Sequence, residues 1–267
     1  VLAEALQITG PFNVQFLAKQ NWVKVIECNL RASRSLPFVS KVVNTNFAAE
    51  ATRCMLGAGP LAPPADALNL DYVGVKLPMF SFSRLVGADP LLGVEMSSTG
   101  EVGCIGANEH EALLNALLAT GFRFPKVGIL LSLGPWEDKF WFSDDAHVIR
   151  EKLKLPIYAT EGTARMLESI GIDCIVVNKH VGDISVIDHG EVDLVINVPK
   201  AYDDQGRPDG FHIRRRAVDA GIPLITDRKM AGAIIEALRW IDPHSLQARA
   251  WDDYTLARPS ALERRRG

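Results

Sequence analysis

The chain has 267 residues, of which 48% are hydrophobic and 23% charged, with a formal net charge of −3. That balance supplies core for two domains and offers no basic surface for nucleic acid or for an anionic membrane. No apolar run approaches the roughly 20 residues of a membrane-spanning helix, and the opening Val1-Leu2-Ala3-Glu4-Ala5-Leu6 lacks the pattern of a signal peptide. The opening reads as the middle of a helix, so a truncated chain is expected. Cys28, Cys54, Cys104 and Cys174 are widely spaced and include no Cys-x-x-Cys pair, which argues against zinc and redox motifs. They are expected as buried thiols in a reducing compartment, the cytoplasm or the mitochondrial matrix.

In chain order, residues 11–18 and 22–28 are β-rich and flank Lys19-Gln20-Asn21, which predicts an antiparallel hairpin. A helix is predicted over about 37–57, stopped by Gly57, and residues 58–68 read as a Pro/Ala/Gly loop. Short strands are predicted at 72–76, 80–82, 93–96 and 102–105. Asn108 is placed to cap a helix that closes at Gly121. After Phe124-Pro125 the pattern becomes regular. Strands are predicted at 127–133, 157–159, 174–177, 194–198 and 223–225. Helices are predicted from Ser143 to about Leu153 and over 162–170, 211–220 and 230–240. Apolar strands alternating with helices predict an α/β domain whose parallel sheet is covered on both faces.

Two sets of polar residues stand out. Glu27 and Asn29 are two apart on a strand and share a face. With the hairpin turning about Gln20, Gln15 lies diagonal to Glu27 on that face, and a one-residue slip would separate them. A carboxylate with two amide oxygens suits Mg²⁺ held against nucleotide phosphates, and Arg31 and Arg34 follow at once as partners for phosphate oxygens. The same residues also fit an exposed polar sheet face with a surface ion pair. In the second half, Ala159-Thr160-Glu161-Gly162-Thr163 joins a strand end to a helix start, where hydroxyls and free backbone N–H groups form an anion site. Ser132, Lys139, Lys179 and Asn197 fall at the same sheet edge. The alternative is that Thr160 and Thr163 only cap the helix and the lysines are solvated.

Longer strings carry a family resemblance. Gly10-Pro11-Phe12-Asn13-Val14-Gln15-Phe16, Ile26-Glu27-Cys28-Asn29-Leu30-Arg31-Ala32-Ser33-Arg34-Ser35 and Pro37-Phe38-Val39-Ser40-Lys41 resemble the second ATP-grasp unit of the carbamoyl-phosphate synthase large chain. Lys76-Leu77-Pro78-Met79-Phe80-Ser81-Phe82, Gly87-Ala88-Asp89-Pro90 and Glu95-Met96-Ser97-Ser98-Thr99-Gly100-Glu101-Val102 continue it. The remainder resembles the methylglyoxal-synthase-like regulatory domain that closes these enzymes. The resemblance implies the C-terminal part of an ATP-grasp (α+β) lobe over 1–124, a Rossmann-like, methylglyoxal-synthase-like parallel-sheet domain over 125–240, and a tail over 241–267.

The resemblance also implies chemistry. Gln15, Glu27 and Asn29 would bind Mg²⁺ or Mn²⁺ with ATP, Arg31 and Arg34 would face the phosphates, and the reaction would be phosphorylation of carbamate to carbamoyl phosphate. The implied partners are the rest of the large chain and a glutamine amidotransferase subunit or domain. With the upstream ATP-grasp lobe missing, the segment alone is expected to be inactive. Ser132, Lys139, Thr160, Thr163, Lys179 and Asn197 would hold a small effector, a uridine nucleotide or N-acetylglutamate. Lys179 favours a phosphate-bearing effector, whereas Val198-Pro199-Lys200 and Gly134-Pro135-Trp136-Glu137-Asp138 depart from the bacterial pattern. In Ile213-Arg214-Arg215-Arg216-Ala217, either an arginine meets effector phosphate or the helix face is solvated. Two other functions are compatible with this half: a stand-alone sensing module, or a methylglyoxal synthase with Asp183 as its acid/base carboxylate.

Overall fold

A computed structural model describes residues 2–60, 69–93, 98–178, 184–199 and 210–255. The chain divides into two compact units: residues up to Gly74 with those from Arg249 onward, and Val75–Ala248.

The first unit opens with α1 (Leu2–Ala5) and the hairpin of β1 (Asn13–Lys19) and β2 (Trp22–Asn29). Lys19 pairs with Trp22, so the turn has two residues and is not centred on Gln20. Gln20 (φ 48°) and Asn21 (φ 65°) both take the left-handed conformation, as a tight turn matched to strand twist requires. The register shifts between Gln15 and Phe16. Phe16 faces Val25 while Gln15 faces Glu27, which leaves Ile26 as the extra residue of a β-bulge. The single helix expected over 37–57 is two helices, α2 (Leu36–Val42) and α3 (Phe47–Met55). The break falls at Asn44, which has φ 51°, and at Asn46, whose side chain accepts from the Ala49 N–H at 3.0 Å. Short polar side chains that bond the local backbone compete with helix continuation. Gly57 stops α3 at φ 74° as anticipated. Among the described residues of this unit Tyr72 alone is buried.

The chain passes into the second unit within β3 (Val73–Met79), which pairs with β4 (Gly100–Gly106) in a two-stranded sheet. The strand expected at 80–82 is replaced by a 3-10 turn over Phe82–Arg84. There the Phe80 and Phe82 rings stack at 4.2 Å, and Phe82 O accepts from the Leu85 N–H. Most of the strand expected at 93–96 lies outside the described residues. Next comes α4 (Glu109–Ala119), capped reciprocally: Asn108 accepts from the Glu111 N–H, and Glu111 from the Ala107 N–H, both at 3.0 Å.

The parallel sheet follows, built from β5 (Ile129–Ser132), α5 (Trp136–Trp141), α6 (Ser143–His147), β6 (Ile157–Thr160), α7 (Glu161–Ser169), β7 (Ile175–Val177), α8 (Ser185–Asp188), β8 (Leu194–Asn197), α9 (Phe211–Asp219), β9 (Leu224–Ile225) and α10 (Arg228–Trp240). Its strand order is β7-β6-β5-β8-β9. Successive residues of β5 serve opposite faces: Ile129 and Leu131 join Phe142, Leu194 and Ile234 in one cluster, and Leu130 joins Val195 and Ile213 in the other. Ser143 is not the cap it was expected to be. Its hydroxyl turns back to donate to Phe140 O at 2.6 Å, and α6 starts without a side-chain cap. The cause is α5, unforeseen in the sequence, which leaves no free turn before Ser143. The cysteines are free, but none is fully buried and Cys54 is exposed. Cys54 lies on α3, in the unit whose described residues are, apart from Tyr72, not buried.

Candidate functional site

Gln15 and Glu27 are directly opposite on the hairpin, not diagonal. The two-residue turn moves the register by one and the bulge by one more, so Gln15 again shares the face of Glu27 and Asn29. Asn29 Nδ2 donates to Glu27 Oε1 at 2.9 Å, which fixes the two side chains together. Arg31 and Arg34 follow in the bend after β2, both exposed, and Arg31 Nη1 donates to Ala32 O at 3.4 Å. Among the described residues no group of three or more His, Cys, Asp or Glu would hold a metal unaided. One carboxylate flanked by amide oxygens fits a cation that takes most of its ligands from phosphates and water.

The second set converges. Ser132, Thr160 and Asn197 are the last residues of β5, β6 and β8, three neighbouring strands. The chain runs outward from β5 through β6 to β7 on one side and through β8 to β9 on the other. The site therefore lies at the topological switch point, beyond the strand C-termini. Ser132, Thr160, Thr163 and Asn197 are all buried. Thr160 Oγ1 lies 3.4 Å from both Ser132 Oγ and Thr163 Oγ1. Thr163 Oγ1 accepts from the Leu133 N–H at 3.0 Å, joining the start of α7 to the end of β5. Thr160 occupies the N-cap position of α7, yet its side chain makes no capping hydrogen bond. Capping therefore does not account for either hydroxyl. A Cβ at Gly162 would come within 3.1 Å of Lys139 Nζ, so that ammonium stands over the first turn of α7. There the helix dipole is already positive and the first backbone N–H groups have no helical acceptor. Lys179 and Asp183 lie outside the described residues.

The arginine string divides three ways. Arg216 is exposed and pairs with Asp188. Arg215 is buried, with Nη2 2.5 Å from Asp219. Arg214 is 0% exposed. It donates from Nε and Nη2 to the two oxygens of Asp89, at 2.8 and 2.6 Å, and from Nη1 to Asn197 Oδ1 at 2.6 Å. Neither sequence reading of this helix foresaw that. The signals were present separately, in Gly87-Ala88-Asp89-Pro90 and Ile213-Arg214-Arg215, but nothing in the string joins them across 125 positions. A cavity of about 1260 Å³ opens elsewhere in the unit, lined by Phe122, Lys126, Leu155, Val192, Ile222 and Trp240 among others. Several of these immediately precede strands, so the cavity sits at the opposite sheet edge and shares no residue with the site.

The chain is similar to known proteins over most of its length. Residues 149–226 match the family model of the MGS-like domain. The multifunctional protein URA2 of Saccharomyces cerevisiae is 47% identical over 253 residues, which cover 89% of this chain and 11% of that protein. The multifunctional protein CAD of Squalus acanthias is 40% identical over 259 residues, 90% of this chain and 12% of that protein. The human mitochondrial carbamoyl-phosphate synthase (ammonia) is 42% identical over 262 residues, 92% of this chain and 17% of that protein. The chain thus spans a small fraction of the length of these relatives. Along nine-tenths of its length, therefore, the chain is similar to a segment of the carbamoyl-phosphate synthase and of these multifunctional proteins, and residues 149–226 within that segment match the MGS-like domain.

Proposed function

We propose that the chain is the part of an ATP-dependent carbon–nitrogen ligase, forming carbamoyl phosphate from carbamate, that carries one wall of the nucleotide–metal site and the effector-binding domain. The observation that carries this reading is the buried hydroxyl-and-amide cluster of Ser132, Thr160, Thr163 and Asn197 at the switch point, with Lys139 over the α7 N-terminus. The backbone N–H groups at a helix N-terminus attract an anion, and an ammonium above them adds to that attraction. On this reading 1–124 is the end of the ATP-grasp lobe, 125–240 the effector domain and 241–267 a tail. The effector is a phosphate-bearing uridine nucleotide, with N-acetylglutamate as the other candidate. Lys179 belongs to the proposed ligand set.

Gln15, Glu27 and Asn29 would hold Mg²⁺ or Mn²⁺ together with ATP, the cation neutralising phosphate charge when bound. Asn29 orients the Glu27 carboxylate, and Arg31 and Arg34 would pair with phosphate oxygens. The partners are the rest of the large chain and a glutamine amidotransferase subunit or domain that supplies ammonia. The product would serve pyrimidine or arginine synthesis, in the cytoplasm or the mitochondrial matrix. Among the described residues no helix is long and apolar enough to cross a membrane. A second reading, a free-standing sensing module, draws on the contrast between the core of Val75–Ala248 and the first unit, where Tyr72 alone is buried among the described residues.

Calorimetric titration of the 267-residue chain with UMP tests the pocket. Saturable binding is expected, weakened about tenfold or more in Thr160→Ala, as for loss of a hydrogen bond to a charged ligand. Heat for N-acetylglutamate alone would reassign the pocket to an acyl amino acid. Unchanged affinity in the variant would reduce the Thr160 hydroxyl to a structural group.

A further inference from the structure

Burying a guanidinium is costly, and a fully buried one needs a reason. Holding the 82–91 segment is not a sufficient reason for Arg214, because its neighbour already does that. Arg215 Nη1 donates to the carbonyls of Phe82, Leu85 and Ala88 at 3.4, 3.0 and 3.0 Å. Arg215 also keeps its own carboxylate on the same helix, with Nε and Nη2 3.1 and 2.5 Å from Asp219 Oδ1. What Arg214 adds is a connection to the pocket. Through Nη1 it meets Asn197 Oδ1 at 2.6 Å, and Asn197 Nδ2 in turn donates to Ser132 O at 3.4 Å. Through Nε and Nη2 it grips Asp89, whose Oδ1 also accepts from the Leu91 N–H at 3.1 Å. The Asn197 amide is confined from a third side. Gly210 has φ 82°, and a Cβ there would lie 2.5 Å from Asn197 Nδ2. The amide therefore has little room to move unless Arg214 moves with it.

We infer that Arg214 is a positioning residue that couples occupancy of the pocket to the Asp89 segment. The inference rests on the reading of the pocket as an effector site. A ligand that bonds the Asn197 amide draws on a group that also holds Arg214, and the guanidinium adjusts its hold on Asp89 in response. Linkage makes the effect reciprocal: whatever holds Asp89 also sets the pose in which Asn197 meets the ligand. The segment from Phe82 to Leu91 directly follows β3 and is the part of the chain that the coupling would reach first.

Amide hydrogen exchange on the whole chain, with and without saturating UMP, provides the test. The amides of Leu85, Ala88 and Leu91 are expected to change exchange rate about fivefold or more on binding, a typical coupling. The isosteric Asp89→Asn variant is expected to bind UMP saturably and to keep the response of the Leu133 amide, which reports the pocket through Thr163, while losing the response at Leu85, Ala88 and Leu91. A merely structural ion pair would produce no ligand-dependent difference there. UMP binding without any change in the segment overturns the coupling and leaves the pocket reading standing. An equal response in wild type and Asp89→Asn also overturns it. If UMP, N-acetylglutamate and inorganic phosphate all fail to bind the wild-type chain, the pocket reading itself fails, and the coupling with it.

Discussion

Asn197 is held by two unlike forces, a hydrogen bond from Arg214 and the steric closeness of Gly210. Alanine at 210 would meet the amide at 2.5 Å and would also occupy a left-handed conformation that only glycine takes freely. Gly210→Ala is expected to destabilise the chain by roughly 1–3 kcal/mol, read from urea midpoints. Arg214→Met removes the buried partner of a part-buried pair and leaves the Asp89 carboxylate without it, so a loss of about 1–3 kcal/mol is expected in the same measurement. Asp145 carries a different signature. Burial first, then the charges of Glu236 and Asp144, push its carboxyl up to about 6, with Arg228 opposing. Its folded pKa lies above the unfolded one, so its contribution favours folding at low pH and is lost as pH rises from about 4 through about 6. Asp145→Asn is expected to flatten the pH dependence of Tm across that window and to stabilise the chain at pH 7 by on the order of 1 kcal/mol, given its partial exposure. Identical pH slopes in both proteins would contradict this. The pocket hydroxyls were legible in the sequence because strand-end and helix-start positions locate themselves. The Arg214–Asp89 pair was not, because no local pattern encodes a contact across 125 residues.

The hairpin shows what an element adds to its residues. Its two β-rich runs were readable, but the turn and the bulge that set the register were not. Gln20 and Asn21 are unusual occupants of a turn with two left-handed residues, where Asn-Gly is the favoured pair. Replacing them by Asn-Gly is expected to stabilise the hairpin by about 0.5–1 kcal/mol, visible as slower amide exchange along β1 and β2. Ile26 is the residue that makes the bulge, so deleting it would regularise the ladder while leaving Gln15 opposite Glu27. The helix break between α2 and α3 was missed for a related reason. Apolar spacing runs on through 37–57, while Asn44 and Asn46 divert the backbone locally. The parallel strands were legible because four-residue stretches such as Ile129–Ser132 are buried on both faces and so read as unbroken apolar runs.

At the scale of the molecule the two units differ in kind. Val75–Ala248 holds both apolar clusters. The first unit leaves Phe16 53%, Trp22 76% and Ile26 61% exposed. Amides of β5, β6 and β8 are therefore expected to exchange on the order of a hundredfold more slowly than those of β1 and β2. Comparable protection would show that the hairpin is covered in solution. Composition indicated enough apolar residues for two domains, but composition does not say how evenly burial is shared between them. The first unit is also discontinuous in sequence. Lys41 Nζ stands 5.4 Å from the Trp251 ring centre, and the rings of Tyr72 and Tyr254 are 6.4 Å apart. These contacts join segments separated by the whole of the second unit. During synthesis from the N-terminus the ribosome must translate Val75–Ala248 before Trp251 and Tyr254 exist, so the sheet domain can mature first and the earlier-made segment must wait for its last aromatic partners.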